Sequence, residues 1–236
     1  MKILALETSA RAVSAAVSED GEILGSAYQN NGLTHSRTLM PLVEQVLGSL
    51  GLTVKDCGAV AVAVGPGSFT GIRIGVSTAK GLAVGAQLPC AAVSTLAAMA
   101  RNAAVGDGLV ICAMDARRSQ IYNALFDVKG GRLTRLTEDR AIALEDLAQE
   151  IRADGRVKTV VGDGARLCEA YLRNRGVDCR LAPPHLLFQN AAGVALEAEE
   201  QAAAGRLLTA QDLLPVYLRP PHAQPLKNPP AILREE

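Results

Sequence analysis

The stretch from Val62 to Gly75, Val-Ala-Val-Gly-Pro-Gly-Ser-Phe-Thr-Gly-Ile-Arg-Ile-Gly, constrains the fold more than any other part of the chain. An apolar run suited to a buried strand stops at Gly65-Pro66-Gly67, and a glycine-studded helical pattern follows. Glycine reaches positive φ without steric cost and proline fixes its own φ, so the chain reverses tightly there. Ser68 or Thr70 is the expected N-cap of the helix. Its first N–H groups have no partner within the helix and point above the strand end. They form an anion site there, or the motif is only a tight strand-to-helix corner. The pattern is neither G-x-G-x-x-G nor a P-loop, so both readings stay open.

Gly71, Gly75, Ala79 and Ala83 recur every four residues, which lines one side of this helix with almost no side chain. Each helical glycine costs roughly 0.5–1 kcal/mol relative to alanine, so such a ridge implies close packing on something. That something is the protein's own sheet or another subunit.

A chain of 236 residues with 49% hydrophobic content can bury a full core. Lys and Arg balance Asp and Glu at zero net charge and no basic block stands out, so a strongly basic nucleic-acid footprint is absent. Aromatics are 3% and Trp is absent, which argues against base-stacking platforms. The cysteines Cys57, Cys90, Cys112, Cys168 and Cys179 lack C-x-x-C spacing and sit among aliphatic residues, as free thiols of a reducing cytoplasm do. The N-terminus reads directly into a strand, and the apolar runs are too short to span a membrane. A soluble cytoplasmic protein is expected.

Ile3 to Leu6 reads as a strand covered on both faces. Ala12–Ser18 and Glu22–Gln29 follow as a hairpin around Asp20-Gly21. Leu39, Leu42, Val43, Val46, Leu47 and Leu50 then mark an amphipathic helix starting near Ser36 or Thr38, the later start easing Pro41. Val60–Val64, the Gly-Pro-Gly corner and the small-residue helix complete a βββαβα unit. The second half repeats that order: Leu109–Met114, Gln120–Asp127, Arg132–Leu136, a helix at Leu144, Leu147, Ala148 and Ile151, Thr159–Val161, then Gly162-Asp163-Gly164 and a helix through Leu167, Ala170 and Tyr171. A further Ala-rich helix covers roughly 190–204. We expect an N-terminal lobe over 1–104, a C-terminal lobe over 105–214, and a tail over 215–236 that holds six of the eleven prolines.

The duplicated unit, with Glu7 and Asp115 closing the first strand of each half, is similar to the two-lobed actin/Hsp70/sugar-kinase superfamily, an α/β, ribonuclease H-like fold. Further segments sharpen the match. They are Leu4-Ala5-Leu6-Glu7-Thr8-Ser9, His35-Ser36 with Leu39 and Pro41, Gly65 through Arg73, Ala79 through Ala83, Val93-Ser94-Thr95-Leu96, Met114 through Arg118, and Pro215-Val216-Tyr217-Leu218-Arg219. Together they resemble the TsaB (formerly YeaZ) family of tRNA threonylcarbamoyladenosine biosynthesis accessory proteins, also called glycoprotease-like or M22. The resemblance implies a subunit that supports the transferase TsaD, together with TsaE, in modifying adenosine 37 of tRNA. It implies contact with tRNA only through that complex, and a homodimer when alone. TsaD carries an H-x-x-x-H metal pair, where this chain has Thr95 and Met99, and His35, His185 and His222 are too scattered to replace it. No catalytic residue, metal or cofactor is therefore expected.

Glu7, Thr8 and Ser9 occupy the place where kinase relatives hold magnesium and phosphate, a satisfied turn being the alternative; Gly65 and Gly67 are further candidates for cofactor binding. His35 is a polar helix-entry residue or part of an interface. Asp115 with Arg117 and Arg118 positions a substrate or forms a turn ion pair. The expected partner surface comprises Met40, Val43, Leu47, Gly71, Ile74, Gly75, Thr78 and Ala79. The competing functional classes are an ATP-dependent phosphotransferase and a metallopeptidase of the M22 type.

Overall fold

The computed structural model describes residues 1–116 and 120–219. The first sheet takes β1 (Ile3–Glu7), β2 (Val13–Glu19), β3 (Glu22–Gln29), β4 (Ala59–Gly65) and β5 (Cys90–Ser94) in the order β3-β2-β1-β4-β5. The hairpin β2–β3 and the pair β1–β2 are antiparallel, whereas β1–β4 and β4–β5 are parallel. Asp20 and Gly21 supply the positive φ values, 53° and 85°, that the hairpin turn requires.

The second sheet repeats this topology with β6 (Gly108–Asp115), β7 (Gln120–Lys129), β8 (Arg132–Arg135), β10 (Lys158–Val161) and β11 (Arg180–Leu181), in the order β11-β10-β6-β7-β8. One more strand, β9 (Arg140–Ala143), pairs with β7. The sequence pattern gave no sign of β5, β9 or β11, which are short and lie at or off the sheet edges. The two strand-to-helix corners are equivalent as well. A Cβ on Gly65 would stand 2.2 Å from the Val216 carbonyl oxygen, and one on Gly162 would stand 2.2 Å from that of Ala113. Only glycine fits at either corner.

Side-chain alternation divides the first sheet's two faces. Leu4, Leu6, Val60, Val62 and Val64 point toward α1 (His35–Ser49) and α2 (Phe69–Ala86). Ile3, Ala5, Ala61, Ala63 and Val93 point the other way, onto α6 (Ala191–Ala203). The helix expected with the second lobe thus packs on the first sheet. Against it lies α3 (Thr95–Ala103), whose Leu96, Met99, Ala100 and Ala103 enter the core of the second sheet. Alanine and glycine permit this close junction: a Cβ on Gly193 would meet the Ala98 carbonyl oxygen at 2.1 Å. The second sheet is completed by α4 (Leu144–Ile151) and α5 (Ala165–Asn174).

Two helical details differ from expectation. The first helix begins at His35 and contains Pro41 in its second turn. Pro41 and Arg37 both lie on the solvent side, so the Arg37 carbonyl that loses its partner is accessible to water. In α5 the core residues are Ala165, Cys168 and Leu172, while Leu167 is 51% exposed. Among the described residues no helix is long and apolar enough to cross a membrane.

Candidate functional site

The carboxyl ends of the central parallel strands of both sheets meet at a cleft of about 770 Å³. This is where open α/β sheets place their ligand sites. Ser9, Ala10 and Arg11 line it from the loop after β1, and Pro66 through Thr70 from the Gly-Pro-Gly corner. Met114, Asp115 and Ala116 follow β6, Asp163 follows β10, and Tyr122 comes from β7.

The corner is clasped to the end of β1 by two contacts. Ser68 N donates to the Ser9 carbonyl at 2.6 Å, and Thr8 Oγ1 donates to the Gly71 carbonyl at 2.8 Å. Ser68 is the N-cap, and its hydroxyl accepts from Gly71 N at 3.3 Å. Two N–H groups of the corner are therefore satisfied inside the chain, which favours the plain corner over an anion site.

Beneath this clasp lies Glu7, fully buried. Its Oε1 accepts from Ser9 N at 2.5 Å, whereas Oε2 has no hydrogen-bond partner. The Ser9 hydroxyl stands beside the carboxyl without reaching hydrogen-bonding geometry. Burial pushes the Glu7 carboxyl up to about 7, with the Ser9 contacts and the Thr8 amide working against it and the Asp163 charge adding to it. Asp163 faces the cleft water yet is crowded by protein, and its carboxyl is also raised despite the Gln189 amide at 3.4 Å. The first contributor is again desolvation, and nearby Asp115 adds like charge.

A strap formed by the last described residues crosses the cleft mouth. Val216 N donates to the Val64 carbonyl at 2.8 Å. The Tyr217 ring packs 5.0 Å from that of Phe69, and Arg73 stacks over Phe69 at 3.9 Å while its Nε donates to Tyr217 Oη at 2.9 Å. Arg219 reaches across to donate to the Ala116 carbonyl at 2.8 Å. Removing the ring in Tyr217→Ala is expected to speed hydrogen exchange of the Val216 amide at least tenfold, at a cost of about 1–2 kcal/mol locally. Unchanged protection there would show that the strap is held by other contacts.

The structure brings Glu7, Thr8, Ser9, Gly65 and Gly67 together as the sequence implied, but as a buried clasp. Asp163, Tyr122, Tyr217 and Arg219 join the cleft without having been singled out as site residues. Asp163 was visible only as part of a corner, and Tyr217 and Arg219 only within a matched segment. Arg117 and Arg118 lie outside the described residues, as does the tail from Pro220 onward. His35 sits at the start of α1 with its Nε2 3.2 Å from the Ala12 carbonyl oxygen.

Part of the expected partner surface needs correction. Val43 and Leu47 are 1% and 6% exposed, and Gly71, Gly75 and Ala79 face the chain's own sheet. A Cβ on Gly71 would fall 2.1 Å from the Thr8 carbonyl oxygen, and one on Gly75 would fall 2.3 Å from Thr8 Oγ1. Met40 remains 36% exposed, and Ile74 and Thr78 are half-buried.

Comparison with known proteins fits this architecture. The family model described as TsaD, tRNA N6-adenosine threonylcarbamoyltransferase, matches residues 29–179. The tRNA threonylcarbamoyladenosine biosynthesis protein TsaB of Escherichia coli is 32% identical over 223 residues, 93% of this chain and 95% of that protein. The chain belongs to the TsaB family. The solved structure of YeaZ from Pseudomonas aeruginosa superposes with a TM-score of 0.77 at 30% identity, covering 92% of this chain and 99% of that one. A likeness in fold alone extends to component A of the Acidaminococcus fermentans (R)-2-hydroxyglutaryl-CoA dehydratase, with a TM-score of 0.50 at 14% identity and coverage of 86% and 99%. The two-lobed actin/Hsp70-like architecture is thus the fold of this TsaB-family chain.

Proposed function

We propose that this TsaB-family chain is the non-catalytic scaffold subunit of tRNA N6-threonylcarbamoyladenosine synthesis at position 37, binding and activating TsaD together with TsaE in the cytoplasm. One observation carries the reading. Thr95 and Met99, the positions of the metal pair in the transferase TsaD, are fully buried between the sheets. An apolar thioether and a buried hydroxyl packed as core do not form a hard-metal site open to substrate. Among the described residues no three His, Cys, Asp or Glu side chains cluster to bind a metal ion.

The partner surface is the solvent side of α1 and α2, centred on Met40, Ile74 and Thr78, with Val84 67% exposed beyond them. Two copies of the isolated chain pair through the same patch. Met40→Glu with Ile74→Glu is expected to weaken TsaD binding at least tenfold and to dissociate the homodimer, with only a modest loss of melting temperature because Ile74 also packs on the first core. Titration calorimetry and sedimentation read both. Threonylcarbamoyl transfer by TsaD and TsaE, with and without this chain, tests the role itself. Equal transfer rates in both would overturn it.

A further inference from the structure

At the end of the second sheet away from the cleft, the loop before β10 and the turn after α5 enclose a groove of about 470 Å³. Its basic lining is Arg152, Arg156, Lys158, Arg173 and Arg180, and its two carboxylates are Asp154 and Asp178. Ion pairs account for part of this charge. Arg156 pairs with Asp127 at 2.7 Å and Asp154 at 2.5 Å, and Arg173 pairs with Glu169 at 3.2 Å.

The remainder is unbalanced. Arg152 makes no hydrogen bond or ion pair among the described residues, and Arg180 reaches only the Thr159 hydroxyl at 3.4 Å. Lys158 is 7% exposed, and its Nζ donates only to the carbonyls of Asp154, at 2.5 Å, and Arg156, at 3.1 Å. The Asp154 carboxylate acts on this ammonium but is itself engaged by Arg156; a nine-tenths buried ammonium held directly only by carbonyls leaves a donor and part of its charge at the groove. Asp178 lines the groove beside these three cations, Asp154 divides its charge between Arg156 and Lys158, and Glu145 acts on Arg152 while paired with Arg175 at 2.7 Å. Arg180 also lines the neighbouring pocket, where Arg166 is likewise unpaired. The pairing of Lys129 with Arg132 in the β7–β8 hairpin puts two more cations, without an ion pair among the described residues, at this end of the sheet, where Asp107 accepts from Gly130 N at 2.9 Å.

We infer that this basic trough binds the phosphodiester backbone of an RNA. The inference rests on the proposed role in tRNA modification, and departs from the expectation that the chain meets tRNA only through its partners. Several cations lining one groove suit a polyanion, because each contact neutralises one phosphate and releases counterions. The zero net charge of the whole chain conceals this local surplus. The trough lies beside the second sheet and the α1–α2 surface covers the first, so RNA and the partner can be engaged together.

The test measures binding of an unmodified tRNA transcript to the full chain, alone and bound to TsaD, over a salt series. The triple variant Arg132→Ser, Arg152→Ser, Arg180→Ser is expected to lose at least tenfold in affinity. The slope of log affinity against log salt should shrink by about 2. TsaD binding and melting temperature should stay at wild type. Wild-type affinity and slope in the variant would overturn the inference. So would saturation of the trough by low-millimolar inorganic phosphate without any tRNA binding, which assigns a small-anion site. Should the triple variant fold poorly, Arg132→Ser with Arg152→Ser, both at exposed positions, gives the same reading. Threonylcarbamoyl transfer is assayed in parallel. Transfer that depends on this chain, with tRNA affinity indifferent to the variants, sinks the trough alone. Transfer indifferent to the wild-type chain sinks the functional reading alone.

Discussion

Gly75→Leu is expected to lower the melting temperature by roughly 6–12 °C, from an overpacking cost of about 3 kcal/mol in a chain of this size. The first added carbon would already sit 2.3 Å from Thr8 Oγ1 and 3.2 Å from Val62 Cγ2. Thr8 cannot retreat freely, because its hydroxyl is committed to the Gly71 carbonyl at 2.8 Å and the residue is fully buried. The helix must therefore lift from β1 and β4. From the ridge alone, the substitution is expected to weaken complex formation more than folding. The packing reverses that order: the ridge meets the chain's own sheet, so the cost falls on stability. Thermal denaturation reads the first effect, and titration of the folded fraction with TsaD reads the second. Near-normal melting with strongly weakened binding would restore the partner ridge.

The second large effect is a pH dependence set by Glu7. Its carboxyl ordinarily titrates at 4.5 and is pushed up to about 7 in the fold. Below 4.5 it is protonated in both states and costs nothing. Between 4.5 and 7 the unfolded chain releases the proton while the folded chain retains it, so stability falls as pH rises. Above 7 the full penalty, about 3 kcal/mol, stays constant. Asp163 is shifted the same way and adds to the slope from a lower range. Glu7→Gln removes the ionisable group while keeping an oxygen to accept from Ser9 N. The variant is expected to be more stable than wild type at pH 8 by up to about 3 kcal/mol, with a flatter profile between pH 5 and 8. Denaturant melts at both pH values measure this. An unchanged difference between pH 5 and pH 8 in Glu7→Gln would assign the dependence to other groups.

The two halves were legible in the sequence because their signals are local. Strand β1 is apolar on both faces, the Asp20-Gly21 turn carries its own φ requirement, and Leu39 to Leu50 keeps helical spacing. Both glycine corners could be placed because no other residue fits a backbone that approaches a carbonyl oxygen so closely. Thr95 and Met99 could be compared with a metal pair for the same reason, since residue type alone decides ligand chemistry.

Everything that required two distant segments to meet was decided by the tertiary structure. A ridge of Gly71, Gly75, Ala79 and Ala83 states that something packs closely, but periodicity does not name the partner. The structure answers with β1 and β4, and reserves a helix–helix approach of that kind for Gly193 of α6 against Ala98 of α3. An alanine-rich helix following the second βββαβα unit carries no mark of the sheet it will cover, and α6 returns to the first. Tyr217 and Arg219 lie more than a hundred residues from Phe69 and Ala116's strand by sequence or fold path, and only the strap's pairing with β4 brings them to the cleft. The buried Glu7 carboxyl and the unbalanced cations around Lys158 follow the same logic. Sequence determines which groups are ionisable, while desolvation and the distance to a counter-charge exist only once the chain has closed around them.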